Sequence, residues 1–180
     1  MMLPADWLSR VRIRLMQRTD LPALEWEGEF THFRRLFADT YARYEDGGAV
    51  LWVAEFPNEL LIGQLFVQLN SERPELADGA TRAYVHGFRI RPAYRRGGLG
   101  TLMMAIVEDD LFRRGFRMVS LNVARVNYKA QRLYDRLGYR VVAAEPGEWS
   151  YIDQNDMLRY VSEPAWRMQK TLRGLNRPGW

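Results

Sequence analysis

The chain has 180 residues, 47% of them hydrophobic and 27% charged, with a formal net charge of +4 and no cysteine. This composition describes one globular domain with a substantial core, and it excludes disulfides and any cysteinyl-acyl intermediate. Two histidines, His32 and His86, are too few for most zinc sites; the lack of a long apolar run and of a secretion-signal pattern in residues 1–10 makes the cytoplasm the expected location, with no membrane partner.

In chain order, residues 11–16 read as a strand with alternating arginines, and Thr19, Asp20 and Pro22 as the cap and first turn of a short helix ending near Trp26. Phe30, Phe33, Phe37, Tyr41 and Tyr44 recur at helical intervals and predict an amphipathic helix stopped by Gly47 and Gly48. Residues 50–55 and 60–69 form a hairpin around 56–59, and 70–80 is a polar loop. A strand follows at 84–90, and Pro92 forbids its simple continuation. Leu99, Met103, Ile106, Val107 and Leu111 then predict a helix that begins near Gly98 and stops after Arg113, Arg114 and Gly115. A strand at 118–123, a helix carrying Tyr134 and a strand at 139–144 complete the centre, and strands flanking such helices are expected to pair in parallel through right-handed crossovers. Residues 148–161 predict an extra hairpin turning at 153–156, 165–172 a last strand, and 173–180 a tail.

Two segments carry chemistry. The first is Arg95, Arg96, Gly97, Gly98, Leu99 and Gly100, a turn into a helix whose first amides have no intrahelical partner and sit at the positive end of the macrodipole. A diphosphate placed there accepts several backbone hydrogen bonds, the glycines allow it to approach, and Arg89, Arg91, Arg95 and Arg96 add cationic charge. A dinucleotide fingerprint fails because Met103 stands where a third glycine is needed, and a nucleoside-triphosphate loop fails for want of Gly-Lys-Ser/Thr. The second segment is the helix from Asn127. Ala130, Leu133 and Leu137 form its apolar stripe, with Asn127 and Tyr134 in line beside it and Gly138 as its stop.

These segments resemble the Gcn5-related N-acetyltransferase (GNAT) superfamily. Arg95, Gly98 and Gly100 match its Arg/Gln-x-x-Gly-x-Gly/Ala motif, and Asn127, Ala130, Leu133, Tyr134, Leu137, Gly138 and Tyr139 match the motif that follows. The resemblance implies a mixed α/β (α+β) fold: a mostly antiparallel central sheet, one parallel pair made by the strands at 84–90 and 118–123, and flanking helices. It implies a single domain over 1–172, with an acetyl-CoA motif at 88–115, a second motif at 118–142 and an added hairpin at about 148–162. Acetyl-CoA, as co-substrate, is expected to be held by Phe88, Ile90, Arg95, Arg96, Gly97, Gly98, Leu99, Gly100, Thr101 and Asn127, with Asn127 on the pantetheine arm and an oxyanion held by a backbone amide near 88–90, since no Asn or Gln marks that site.

The implied reaction is direct transfer of an acetyl group to a primary amine of a small molecule or protein. A lysine-like amine of pKa about 10.4 costs about 4.6 kcal/mol to deprotonate at pH 7, so a base or a water chain is needed. Tyr134 is the candidate partner of the leaving sulfur. A phenol of pKa about 10 facing a thiol of about 8.5 is uphill by roughly 2 kcal/mol as a full donor, so hydrogen bonding to developing thiolate is the expected role. His86 is the best candidate base, with packing inside the sheet as the alternative. Strict alternation puts it on the side of Phe88 and Ile90, and a bulge near Gly87 would reverse that. Glu25, Glu27, Glu29 and Glu55 are fallback bases. Trp149, Tyr151 and Tyr160 wall an acceptor pocket, pack the hairpin or mark a homodimer surface. A non-catalytic acyl-CoA sensor is the alternative function, which the presence of both Asn127 and Tyr134 disfavours. Only Lys129 and Lys170 of the 26 cations are lysines, the arginines are scattered, and no nucleic-acid-binding signature occurs, so nucleic acid is a disfavoured partner.

Overall fold

A computed structural model describes residues 4–58 and 60–174; residue 59 of the predicted hairpin turn and 175–180 of the predicted tail lie outside them. Among the described residues nine strands form: β1 (Arg12–Leu15), β2 (Ala49–Phe56), β3 (Leu60–Gln68), β4 (Arg82–Ile90), β5 (Met118–Ala124), β6 (Arg140–Glu145), β7 (Glu148–Ile152), β8 (Leu158–Ser162) and β9 (Ala165–Thr171). The α-helices are α1 (Arg34–Glu45), α2 (Leu99–Arg113) and α3 (Tyr128–Arg136). Seven strands make one sheet in the order β1-β2-β3-β4-β5-β9-β6, and β7 and β8 form a separate hairpin. Every neighbouring pair in the large sheet is antiparallel except β4 and β5.

Alternation along the strands divides the core in two. On one face Val50, Ile62, Leu65, Val67, Val85, Leu121 and Met168 meet Leu99, Met103, Met104, Val107 and Leu111 of α2, with Tyr134 of α3 in the same cluster. On the other, Leu51, Val53, Leu61 and Phe66 meet Phe37 and Tyr41 of α1. Packing of amphipathic faces against a sheet supplies most of the stability of helices this short.

Three differences from the sequence expectations have local causes. The predicted helix at 30–44 begins only at Arg34, because Trp26, Glu27 and Gly28 all have positive φ and a 3-10 turn at Thr31–Phe33 intervenes. The segment before it is a 3-10 helix (Arg18–Glu25) containing Pro22, which donates no backbone hydrogen bond; it starts in a capping box between Gln17 and Asp20. The strands flanking α3 are not neighbours, since β9 inserts between β5 and β6 and pairs with both in antiparallel sense.

Candidate functional site

The site begins where two strands part. β4 and β5 pair from Arg82 and Met118 to Val85 and Leu121 and no further, although β4 runs on to Ile90 and β5 to Ala124. Gly87 has φ +58°, and the register with β3 shifts so that His86 faces Phe66 and Arg89 faces Gln64. This is a bulge, with Gly87 and Phe88 together opposite Leu65. A Cβ on Gly87 would stand 2.6 Å from Cδ2 of Phe66, so both the backbone angle and the packing require glycine. The extra residue reverses the alternation. Phe88 and Ile90 pack toward α2, whereas the His86 ring turns to the α1 face, 5.8 Å from Phe66 and stacked 5.6 Å from Tyr84. Of the two alternatives for His86, the bulge near Gly87 is the one that forms, and strict alternation does not hold.

On the α2 face the helix opens at Gly98, whose φ is +90°. The amide of Leu102 donates to the Gly98 carbonyl at 3.0 Å, so the amides of Leu99, Gly100 and Thr101 project from the helix end with no intrahelical acceptor. Each glycine here also answers to packing. A Cβ on Gly97 would stand 2.4 Å from Cζ2 of the Trp7 indole, one on Gly98 would meet Leu8 at 3.3 Å, and one on Gly100 would meet Leu133 at 3.3 Å and Ile90 at 3.5 Å. These glycines therefore answer to packing as well as to the approach of a phosphate. Trp7, itself buried against Tyr94 with ring centroids 5.6 Å apart, props the turn from behind. Leu99 is in the core and offers only its backbone, while Arg95, Arg96 and Thr101 are exposed. Arg95 Nε donates to the Ile90 carbonyl at 2.7 Å, tying the turn to the end of β4.

Two of the four arginines expected around the turn are elsewhere. Arg91 donates to both carboxylate oxygens of Glu27, at 2.7 and 2.9 Å, and through Nε to the Leu61 carbonyl. Arg89 lies over Phe30 and Phe33 on the α1 face.

α3 places the remaining motif residues. Asn127 is its N-cap, and its Oδ1 accepts from the Ala130 amide at 3.2 Å, which leaves the exposed side-chain amide nitrogen for other partners. Tyr134 is 7% exposed, its ring edge-on to Tyr139 at 5.7 Å. Burial, with a smaller contribution from Tyr84, raises its phenol above the ordinary range, so it stays protonated and remains a hydrogen-bond donor.

On the α1 face, burial and the nearby charges of Arg43 and Arg89 push His86 down to about 4, so its imidazole is neutral at pH 7. Among the fallback bases, Glu25 is bound by Arg34 and Thr31 and Glu27 by Arg91, and those hydrogen bonds hold both carboxyls below the usual range. Glu55 accepts from Arg14 at 2.7 Å; Glu29 is exposed.

The sequence reading missed three polar residues here. Gln64, 1% exposed, donates through Nε2 to the Gly87 carbonyl at 3.3 Å while its Oε1 is buried without a partner. Asn122, the first β5 residue past the last β4 pair, has a buried, unpartnered Oδ1, and Arg167, directly across from it on β9, has an equally unpartnered Nε. The statement that no Asn or Gln marks this region is corrected. Both residues sit inside apolar strand runs, and only the bulge and the end of pairing single them out.

The hairpin also reaches this face. Trp149 and Tyr151 lie 6.1 and 4.9 Å from the Phe33 ring, and Tyr151 lies 6.1 Å from His32. Tyr160 is 81% exposed and takes no part in that wall. Among the described residues no group of three or more His, Asp or Glu side chains is placed to hold a metal, and no helix is long and apolar enough to cross a membrane.

Comparison with known proteins bears on this geometry. The GCN5-related N-acetyltransferase 6, chloroplastic, of Arabidopsis thaliana is 28% identical over 109 residues, 59% of this chain. That match covers 35% of the Arabidopsis protein, and the chain spans about half the length of other curated relatives it matches. The ribosomal-protein-S18-alanine N-acetyltransferase of Escherichia coli superposes with a TM-score of 0.68 at 18% identity, over 94% of this chain and 99% of that one. Arabidopsis thaliana NAA60 in complex with acetyl-CoA gives 0.68 at 22% identity, over 91% and 99%. At these identities the two structures show the fold. The family model for the acetyltransferase (GNAT) family matches residues 15–139, which takes in the bulge, the helix end and all of α3. The chain belongs to the GNAT acetyltransferase family.

Proposed function

We propose that this protein transfers an acetyl group from acetyl-CoA directly to an amine, the two substrates meeting in the opening between β4 and β5. The observation that carries this reading is that opening itself: β4 loses its β5 partner after Val85, with the free amides of the α2 end on one face and His86 on the other. The donor set suits the coenzyme. The amides of Leu99, Gly100 and Thr101 face a diphosphate at the positive end of α2, and the exposed Arg95 and Arg96 add charge. The β4 edge from Phe88 to Ile90, with the free amide of Asn127, suits the amide-bearing pantetheine arm, and a β4 amide there or the side chain of Asn122 faces the carbonyl oxygen.

When bound, the thioester supplies the electrophilic carbonyl and a thiolate leaving group. Tyr134 donates a hydrogen bond to the departing sulfur; its raised pKa makes full proton transfer less favourable than for a free phenol and leaves the hydrogen bond as its contribution. His86, with a pKa of about 4, is too weak to be the proton's final holder, because moving a proton to it from a lysine-like ammonium is uphill by about 6 units or 9 kcal/mol. It accepts a hydrogen bond from the neutral amine and so orients it; as the C–N bond forms and the C–S bond breaks to release thiolate, the proton of the now cationic nitrogen leaves to water. The cations around it, Arg43 and Arg89, disfavour a bound ammonium and so lower the pKa of the acceptor. An acceptor that starts less basic, such as a peptide α-amine of pKa about 7.7–8.0, loses its proton at about 1 kcal/mol at pH 7.

The test is calorimetric titration with acetyl-CoA, followed by thiol release with a panel of amines. The expected result is binding with steady release for weakly basic amines. Binding without release for any amine would make the site an acyl-CoA sensor and contradict the proposal.

A further inference from the structure

Arg89 is a half-buried cation held against two aromatic rings. Its guanidinium carbon lies 4.3 Å from the centre of Phe30 and 4.9 Å from that of Phe33, whose planes differ by 9°. The ring faces attract its charge but cannot satisfy its five N–H donors. Among the described residues no carboxylate lies within 4.0 Å of it; the acid it feels is the exposed Glu29, at longer range, and burial pulls its pKa below the usual arginine value. Several other arginines of the chain are paired. Arg91 is gripped by Glu27, Arg14 by Asp20 and Glu55, Arg34 by Glu25, and Arg73 and Arg167 by Glu145. A half-buried cation without a counter-charge is costly and invites an anion.

Its location says which anion. The bulge at Gly87 turns Arg89 to the α1 face together with His86, away from the α2 end where the coenzyme's phosphates are proposed to bind. Directly across on β3 is Gln64, whose buried Oε1 has no partner. Arg43 adds a second positive charge felt by His86. The field over the acceptor side is therefore positive, which repels polycationic acceptors and attracts an amine that carries its own negative charge.

We propose that Arg89 is a specificity-determining residue that binds a carboxylate on the amine acceptor, so that the preferred acceptors are amines bearing a carboxylate. This rests on the acetyl-transfer reading for the site. A guanidinium held against two rings offers its in-plane donors as a fixed fork, and a carboxylate is the planar anion that a fork binds with two hydrogen bonds. The carboxylate is supplied either by a free amino acid or by an acidic side chain near a peptide's amino terminus.

The experiment compares matched acceptors in the wild type and in Arg89→Gln: phenylalanine with phenylalaninamide for the free amino acid, and Ala-Asp amide with Ala-Asn amide for the peptide. Comparing the carboxylate-to-amide ratio between the two proteins cancels the intrinsic difference in amine basicity. The ratio of kcat/KM is expected to fall roughly 10- to 100-fold in Arg89→Gln for at least one pair, chiefly through KM, and any change from the lost effect of Arg89 on amine and His86 basicity falls on both members of a pair and cancels in the ratio. Arg89→Lys, which keeps the charge but loses the fork, is expected to fall between the two, and unchanged acetyl-CoA binding in both variants shows that they fold. An unchanged ratio in both pairs overturns the inference while leaving acetyl transfer standing. A second arm needs no turnover: the CoA-saturated protein is titrated with N-acetylphenylalanine, with N-acetyl-Ala-Asp amide and with their amide counterparts. Arg89-dependent binding of the carboxylate forms without any transfer would uphold the carboxylate site and overturn the transferase reading; equal binding of both forms overturns the carboxylate site.

Discussion

The two faces of the β4 edge are built by opposite means. On the α2 face the useful groups are backbone amides, and the side chains around them serve to hold the backbone: Trp7 behind Gly97, Leu8 behind Gly98, Leu133 and Ile90 against Gly100. On the α1 face the useful groups are side chains: His86 and Arg89, and Gln64 and Asn122, each of which has a buried oxygen without a partner. One residue, Gly87, separates them by reversing the alternation of β4. A backbone site tolerates little change in its glycines and much in its surface charges; a side-chain site changes selectivity residue by residue.

The α2 face should fail outright when its backbone is moved. Gly97→Val drives a branched side chain into the Trp7 indole, and we expect a loss of about 2–3 kcal/mol in unfolding free energy by urea titration, with acetyl-CoA binding abolished in calorimetry. Wild-type stability in this variant would mean that Trp7 does not support the turn.

His86 gives the α1 face a pH signature. A depressed folded-state pKa means the unfolded chain binds the extra proton first, so stability is lost as pH falls from about 6.5 toward 4 and levels off below that. The contribution is up to about 3 kcal/mol, and His86→Gln should flatten that part of a stability-against-pH curve. Identical curves for the two proteins would place His86 in solvent rather than under Phe66 and Tyr84.

Tyr134→Phe keeps the packing and removes the hydroxyl. Turnover should fall about 10- to 100-fold with acetyl-CoA affinity within about threefold, since the hydrogen bond strengthens only as negative charge develops on sulfur. An unchanged turnover number would remove Tyr134 from the chemistry.

The smallest effect separates the two sides of the added hairpin. Tyr160→Ser, at a position 81% exposed, should change stability by no more than about 0.5 kcal/mol and leave acceptor selectivity alone, whereas Trp149→Ser, beside Phe33, should raise acceptor KM. A large effect at Tyr160 would point to a partner on that surface.

The same contrast explains what could be read in advance. The α2 face was legible because backbone geometry forces glycine at fixed spacing: Gly98 at positive φ, Gly100 where α3 and β4 come close. The parallel pair of β4 and β5 followed from the helix between them, and the family model's span from 15 to 139 agrees with the resemblance carried by residues 95–100 and 127–139. The α1 face was mostly illegible. It gathers Gln64, Arg89, Asn122 and Trp149 from four different strands onto Phe30 and Phe33, and no local pattern links those strands to each other or to the two rings. Arg89 looked like one more cation near a phosphate turn, since a strand's alternation shows the wrong face once a bulge adds a residue. The placement of β9 between β5 and β6 was equally hidden, because it depends on long-range pairing by the last strand.

Amide hydrogen exchange with and without acetyl-CoA tests whether the bulge divides the proposed coenzyme side, made of backbone amides, from the proposed acceptor side, made of side chains. Acetyl-CoA is predicted to slow exchange at Leu99, Gly100 and Thr101 and along 88–90, with no change at 30–33. Protection confined to 30–33, or none at the α2 end despite binding, would contradict it.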